Sequence, residues 1–154
     1  MKLLFFITKP YSVPILRPIE SYCSSIDQIE VAWFKAGSAK SLDLKGRILE
    51  TTANVIEFDP DAVIVPGNVV PDFWPGIKVQ IFHGLCEEKK GHYDITGFFD
   101  LYCTPGPQMT EKFMELGEQY NTFLVRETGW PKLDLLFPIS NVEELKITLG
   151  LNPD

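Results

Sequence analysis

Six apolar runs of strand length divide the chain: "KLLFFIT" (2–8), "IEVAWF" (29–34), "AVIVP" (62–66), "KVQIF" (78–82), "DLYC" (100–103) and "TFLV" (122–125). Within them apolar residues follow one another instead of alternating with polar ones. A strand that turns apolar side chains to both sides needs cover on both faces, the condition of a parallel sheet between helical layers. Helical patterns lie between several of the runs. Ile48, Leu49, Thr52, Val55 and Ile56 fall on one helical face, and so do Met109, Phe113 and Leu116. Ser140 with Glu143 makes a capping box ahead of Leu145 and Leu149, and Gly150 supplies the stop. Pro14 and Pro18 interrupt the first helical stretch, which is expected to start at Pro18, where proline suits a first turn. Strands alternating with helices predict an α/β fold: an open, mainly parallel sheet with helices on both faces and right-handed crossovers.

Length and composition narrow the class. A chain of 154 residues, 45% apolar and 23% charged, suits one globular domain with a sizeable core. No repeat or linker divides it, so residues 1–154 read as a single domain. A net charge of −7 and a pI near 4.8 argue against a nucleic-acid binder working by bulk charge. Cys23, Cys86 and Cys103 are odd in number and form no C-x-x-C pair. They suggest neither a disulfide framework nor a zinc site, and a reducing compartment is the simplest reading. The opening run Leu3 to Ile7 is too short for a signal-peptide core, and no stretch approaches a transmembrane span. Any membrane contact would be peripheral.

Open α/β sheets bind ligands beyond the carboxyl ends of their strands. The loops leaving those ends are "KPYSVP" (9–14), "PGNVVPDFWPG" (66–76), "HGLCEEKKGH" (83–92), "TPGP" (104–107) and "ETGWPK" (127–132). The last two open helices, so their backbone N–H groups could hold an anion. Gly and Pro could equally be there only to make turns. Two familiar sites are missing. "TKPYSVP" after the first strand is no G-x-G-x-x-G, and there is no Walker A sequence. A receiver domain would place an aspartate where Pro66-Gly67 stands.

His83 is the one histidine at an expected strand end, with His92 in the same loop. Imidazole titrates near neutral pH and could take a proton from an attacking hydroxyl. Gly84 would let a ligand approach the backbone closely, and Lys89 and Lys90 could meet phosphate oxygens. Spacing alone leaves a second reading open: a hydrogen-bonded structural histidine, a turn glycine and a solvated charge cluster. Glu87 and Glu88 read as solvent-facing, Trp74 and Trp130 as packing residues. Cys86 has no activating partner beyond the lysines and is not proposed as a nucleophile.

Two motifs taken together add more. "QIFHGLCEEKKG" (80–91) followed by "ETGWPKLD" (127–134) resembles the CDP-glycerol glycerophosphotransferase family, the teichoic-acid polymerases and primases. The family pattern is a strand ending in His-Gly, a lysine-containing loop closing on Gly, and a later Gly-aromatic-Pro-basic-x-Asp. His83, Gly84, Lys89 and Gly91 fall on the first part, and Gly129, Trp130, Pro131, Lys132 and Asp134 on the second. "FFDLYCTPGPQMTEKF" between them is similar to the family's strand-turn-helix, and the resemblance covers roughly residues 60 to 154. Leu85-Cys86 stand where members often have Thr-Pro, and Glu87 and Glu88 replace other loop residues.

The resemblance implies the GT-B architecture, two Rossmann-like domains facing a cleft, with this chain as the N-terminal, acceptor-side half. A C-terminal domain carrying most of the nucleotide contacts would be its partner, beginning after the "LGLNPD" segment where this sequence stops. It further implies His83 as general base, Lys89 beside phosphate, Gly84 and Gly91 shaping the loop, and Gly129 to Asp134 facing the other domain. CDP-glycerol would be the donor substrate and a polymer or lipid-linked hydroxyl the acceptor, with no metal or cofactor predicted. The setting would be cytoplasmic, peripheral at the inner face of the membrane. Without the second domain the chain is expected to fold but not to turn over. Two other readings stay open at this level: half of another GT-B glycosyltransferase or epimerase using a UDP-sugar, or a stand-alone noncatalytic α/β domain binding a ligand or protein.

Overall fold

The computed structural model describes residues 1–85 and 91–136. The strands are β1 (Lys2–Ile7), β2 (Glu30–Lys35), β3 (Ile48–Leu49), β4 (Ala62–Val65), β5 (Ile77–Ile81), β6 (Leu101–Thr104) and β7 (Leu124–Glu127). The helices are α1 (Val13–Cys23), α2 (Thr52–Phe58) and α3 (Pro107–Tyr120), with 3-10 turns at Pro10–Ser12, Gly37–Ala39 and Pro131–Leu136. The strands form one sheet in the order β3-β2-β1-β4-β5-β6-β7, and every neighbouring pair is parallel. This is a Rossmann-like open α/β sheet.

β1 shows why continuous apolar runs mean burial on two sides. Leu3, Phe5 and Ile7 pack with Ile15 and Leu16 of α1, with Trp33, and with Val79 and Ile81. Leu4 and Phe6 face the other way, into a core with Val55 and Phe58 of α2, Met109 and Phe113 of α3, and Tyr102. Leu4 and Phe5 are both fully buried. At roughly 1.5–3 kcal/mol per buried large apolar side chain, this central strand anchors both layers.

Each of the six expected runs is a strand, shifted by at most two residues. The exception is the short edge strand β3. Ile48 and Leu49 pair with Trp33 and Phe34 instead of opening a helix. Two residues carry no period of their own, and they sit directly before a helix, so the sequence reads them as part of it. α2 begins only at Thr52, where the Thr51 side chain accepts from the Asn54 N–H in a capping box. Its buried pair is Val55 and Phe58, while Ile56 is exposed.

α1 also departs from expectation. It starts at Val13, with Pro14 in the first turn and Pro18 inside the helix. Pro18 removes one backbone bond, but Ile15, Leu16 and Cys23 are buried on the sheet and hold the helix through that defect. The capping box at Ser140, the stop at Gly150 and the "LGLNPD" segment lie outside the described residues.

The chain runs outward from β1 to β2 and β3, then returns past β1 to build β4 to β7 on the other side. The direction therefore reverses between β1 and β4, where an open sheet leaves a crevice at its carboxyl edge. The connection from β4 to β5 contains no helix. Val70 and Trp74 fill that face instead, with Trp74 making edge contacts to Phe6 at 5.3 Å and Phe34 at 4.8 Å between ring centroids.

Candidate active site at the switch point

His83 stands just beyond β5, held there by its neighbour Phe82, which is buried against Phe113 and Tyr102. The His83 Nδ1 lies 3.1 Å from the carbonyl oxygen of Pro66, in the loop leaving β4. A carbonyl only accepts, so this contact requires the proton on Nδ1 and puts the lone pair of the neutral ring on Nε2. Two rings flank the imidazole. Tyr11, from the 3-10 turn after β1, lies 5.6 Å away at a tilt of 39°. His92 meets it nearly edge-on at 5.2 Å. His92 is buried and also packs on Phe82, whereas Tyr11 is half-exposed. The imidazole thus has an interior neighbour and a surface neighbour. Loops from β1, β4 and β5, adjacent in the sheet but distant in sequence, converge on one side chain.

A second set of contacts links β5 to Gly91. The buried Gln80 of β5 donates from Nε2 to Asn68 Oδ1 at 3.3 Å, and Asn68 Nδ2 donates to the Gly91 carbonyl at 3.2 Å. Gly91 has φ +88°, a left-handed backbone that favours glycine. Gly84 is different. Its φ is not positive, and among the described residues a Cβ there would meet nothing within 4 Å. No described residue crowds the backbone there, and the turn makes no demand for glycine.

The two sequence motifs meet through Trp130. Its indole Nε1 donates to the Phe82 carbonyl at 2.8 Å, next to His83, while its ring packs against the core on the α1 side of the sheet. Lys132 places its Nζ 5.4 Å from the centre of that ring. Gly129, at φ +78°, makes the turn into this segment, and Pro131 opens the 3-10 turn. Asp134 goes elsewhere: with Leu135 it lines a groove beside α1 that includes Arg17, Tyr22 and Lys45. Lys89, and with it Cys86, Glu87, Glu88 and Lys90, lies outside the described residues. Trp74 and Trp130 both pack as the sequence suggests, but Trp130 also ties down the strand end that carries His83.

Tyr11, Pro66 and Asn68 were not singled out from the sequence. The loops that hold them were, yet nothing in their spacing shows which side chain or carbonyl reaches His83. That depends on β1, β4 and β5 lying side by side.

The two described cysteines, Cys23 and Cys103, do not offer a second centre. Burial pushes the Cys103 thiol up, with partial relief from a hydrogen bond to Thr128. Cys23 is raised by burial and by the charge of Glu20. Both are thereby kept from the reactive thiolate form. Among the described residues no three His, Cys, Asp or Glu side chains cluster as metal ligands, and no helix is long and apolar enough to cross a membrane.

What remains is an imidazole set against the Pro66 carbonyl at the switch point, a glycine next to it, and a tryptophan-anchored segment carrying Lys132 close by. This arrangement can take a proton from a hydroxyl and seat a ligand beside the backbone. Compared with family models, with curated proteins and with solved structures, the chain matches none of them.

Proposed function

We propose that this chain is the acceptor-side domain of a transferase that moves glycerol phosphate from CDP-glycerol to a hydroxyl of a cell-wall or surface polymer. The observation that supports this most is the bond between His83 Nδ1 and the Pro66 carbonyl, which gives the neutral ring its basic nitrogen at Nε2. In this reading the acceptor O–H passes its proton to Nε2 as its oxygen attacks the β-phosphorus in line. The bond from that phosphorus to the CMP oxygen breaks, leaving a glycerol-phosphate ester and CMP. Positioning and charge stabilisation carry most of such a transfer. Gly84 gives the ligand access to the backbone, Lys89 meets phosphate, and the segment from Gly129 to Lys132 turns toward a C-terminal, donor-binding domain. A lipid-linked or polymer acceptor would bring the enzyme to the inner face of the membrane from the cytoplasm.

The test is CMP release from CDP-glycerol by the native gene product and its His83→Ala variant. Loss of a general base is expected to lower kcat by about 10²–10⁴-fold with the fold intact. A kcat unchanged in His83→Ala would remove the assignment. CDP-ribitol and UDP-sugars in the same assay identify the donor. Preferred turnover of a UDP-sugar would move the site to a glycosyltransferase or epimerase.

A further inference from the structure

We propose that Gln80 selects the acceptor, its Oε1 accepting a hydroxyl that neighbours the reacting one. The inference rests on the reading of the chain as an acceptor-side domain and deepens it. It names a specificity-determining residue and a substrate class, polyol phosphates with two adjacent hydroxyls.

A backbone carbonyl sets the direction of a short chain of amides. The Gly91 carbonyl only accepts, so the Asn68 atom that meets it at 3.2 Å is the donor Nδ2. That turns Asn68 Oδ1 toward Gln80, which must answer with Nε2, at 3.3 Å. The amide oxygen of Gln80 is then the free end of the chain. Oε1 accepts from no described residue, and it touches open space although Gln80 is only 4% exposed. Lys78, the other buried polar residue of β5, sets its ammonium on the Trp74 and Gly76 carbonyls, a structural use. Gln80 uses one end of its amide in that way and keeps an acceptor over. A buried acceptor without a donor is unfavourable, and a substrate O–H supplies one.

The position suits a ligand. Gln80 pairs with Val65, the last residue of β4, and with Tyr102 of β6. It stands at the carboxyl end of the sheet, where such folds bind ligands. Its amide partners adjoin the His83 site. Asn68 shares a loop with Pro66, whose carbonyl meets His83, and Gly91 precedes His92, whose ring packs on His83. One hydroxyl of the acceptor gives its proton to His83, and its neighbour donates to Gln80 Oε1.

The experiment titrates two probes into ¹⁵N-labelled native protein and Gln80→Met: glycerol 3-phosphate, and 3-hydroxypropyl phosphate, which lacks the middle hydroxyl. Amide shifts give Kd. Native protein should bind glycerol 3-phosphate about 3- to 10-fold more tightly, as one neutral hydrogen bond implies, with the Gln80 side-chain NH₂ signal among those that move. Gln80→Met keeps the length of the side chain without the amide, and its two Kd values should become equal. A merely structural glutamine gives a different result: both probes weaken together and their ratio survives, which would overturn the proposal. If Gln80→Met loses its fold by circular dichroism, native protein decides alone. Equal Kd values there, no binding of either probe, or a Gln80 NH₂ signal that stays still while both bind would each overturn it. Preference for glycerol 3-phosphate without CMP release from any donor defeats the functional reading and leaves the hydroxyl site standing. CMP release with equal Kd values does the reverse.

Discussion

The indole of Trp130 donates to the carbonyl of Phe82 across 2.8 Å, joining positions 48 residues apart. One bond couples the strand end that carries His83 to the segment that carries Lys132. Trp130→Phe keeps most of the ring's packing and deletes the donor, leaving the Phe82 carbonyl without it. The expected loss is about 1–2 kcal/mol of stability, read as a lower urea midpoint at unchanged slope. A midpoint equal to that of the native protein would mean that the bond contributes nothing net.

Two glycines separate structural need from ligand access. At Gly76 φ is +80°, and a Cβ would sit 2.2 Å from the Pro60 carbonyl oxygen and 2.8 Å from the Asp61 carbonyl carbon. These are backbone atoms just ahead of β4 and cannot yield cheaply. Gly76→Ala should therefore cost at least about 2 kcal/mol. Gly84→Ala meets no described residue within 4 Å and should stay within about 0.5 kcal/mol of native stability. If ligands approach the backbone at Gly84, the same substitution should still depress turnover. A Gly84→Ala protein with full stability and full turnover would remove that residue from the site.

Thr51 provides a local test of α2. Its side chain accepts from the Asn54 N–H at 3.2 Å, and the Asn54 side chain answers toward the Thr51 N–H at the same distance. α2 has only seven residues, so its cap is a large part of its own stability. Thr51→Ala is expected to cost about 1 kcal/mol, and Thr51→Ser to recover most of it. Equal unfolding midpoints for Thr51→Ala and native protein would show α2 held by Val55 and Phe58 alone.

How far the sequence foretold this molecule follows from where each signal resides. Leu3 to Ile7 announced a strand covered on both faces because the evidence lies in the run itself. Ile48 and Leu49 did not announce β3, because a two-residue strand exists only through its pairing with Trp33 and Phe34. Pro18 read as the start of a helix that instead begins at Val13 and is held through Pro18 by tertiary burial of Ile15 and Leu16. The site divides in the same way. His83 was legible as a histidine at a strand end. Its partners Tyr11 and Pro66 were not, since their proximity is a product of strand order. Asp134, read as part of one motif with Trp130, lies instead beside Arg17 and Tyr22, because the 3-10 turn from Pro131 leads toward α1.

Tyr102 sets the behaviour of the fold at high pH. It lies at the centre of the α3-side core, stacked near Phe82, Phe113 and Phe123 and 1% exposed. Burial pushes its phenol up from 10.0 to about 12, with a hydrogen bond to Thr96 pulling back in part. Below pH 10 the phenol keeps its proton in both folded and unfolded chains, and its contribution is fully present. Between pH 10 and pH 12 the unfolded chain releases that proton while the folded one retains it, so stability falls as pH rises. The loss over that window is on the order of 2–3 kcal/mol. Cys23 and Cys103, whose thiols are also raised, add to the alkaline slope from a lower starting point. Tyr102→Phe should therefore flatten the slope above pH 10 without abolishing it. Urea midpoints at pH 9, 10 and 11 for the two proteins are the measurement. Parallel curves would mean that the phenol is already solvated in the folded state, in conflict with its place beneath α3.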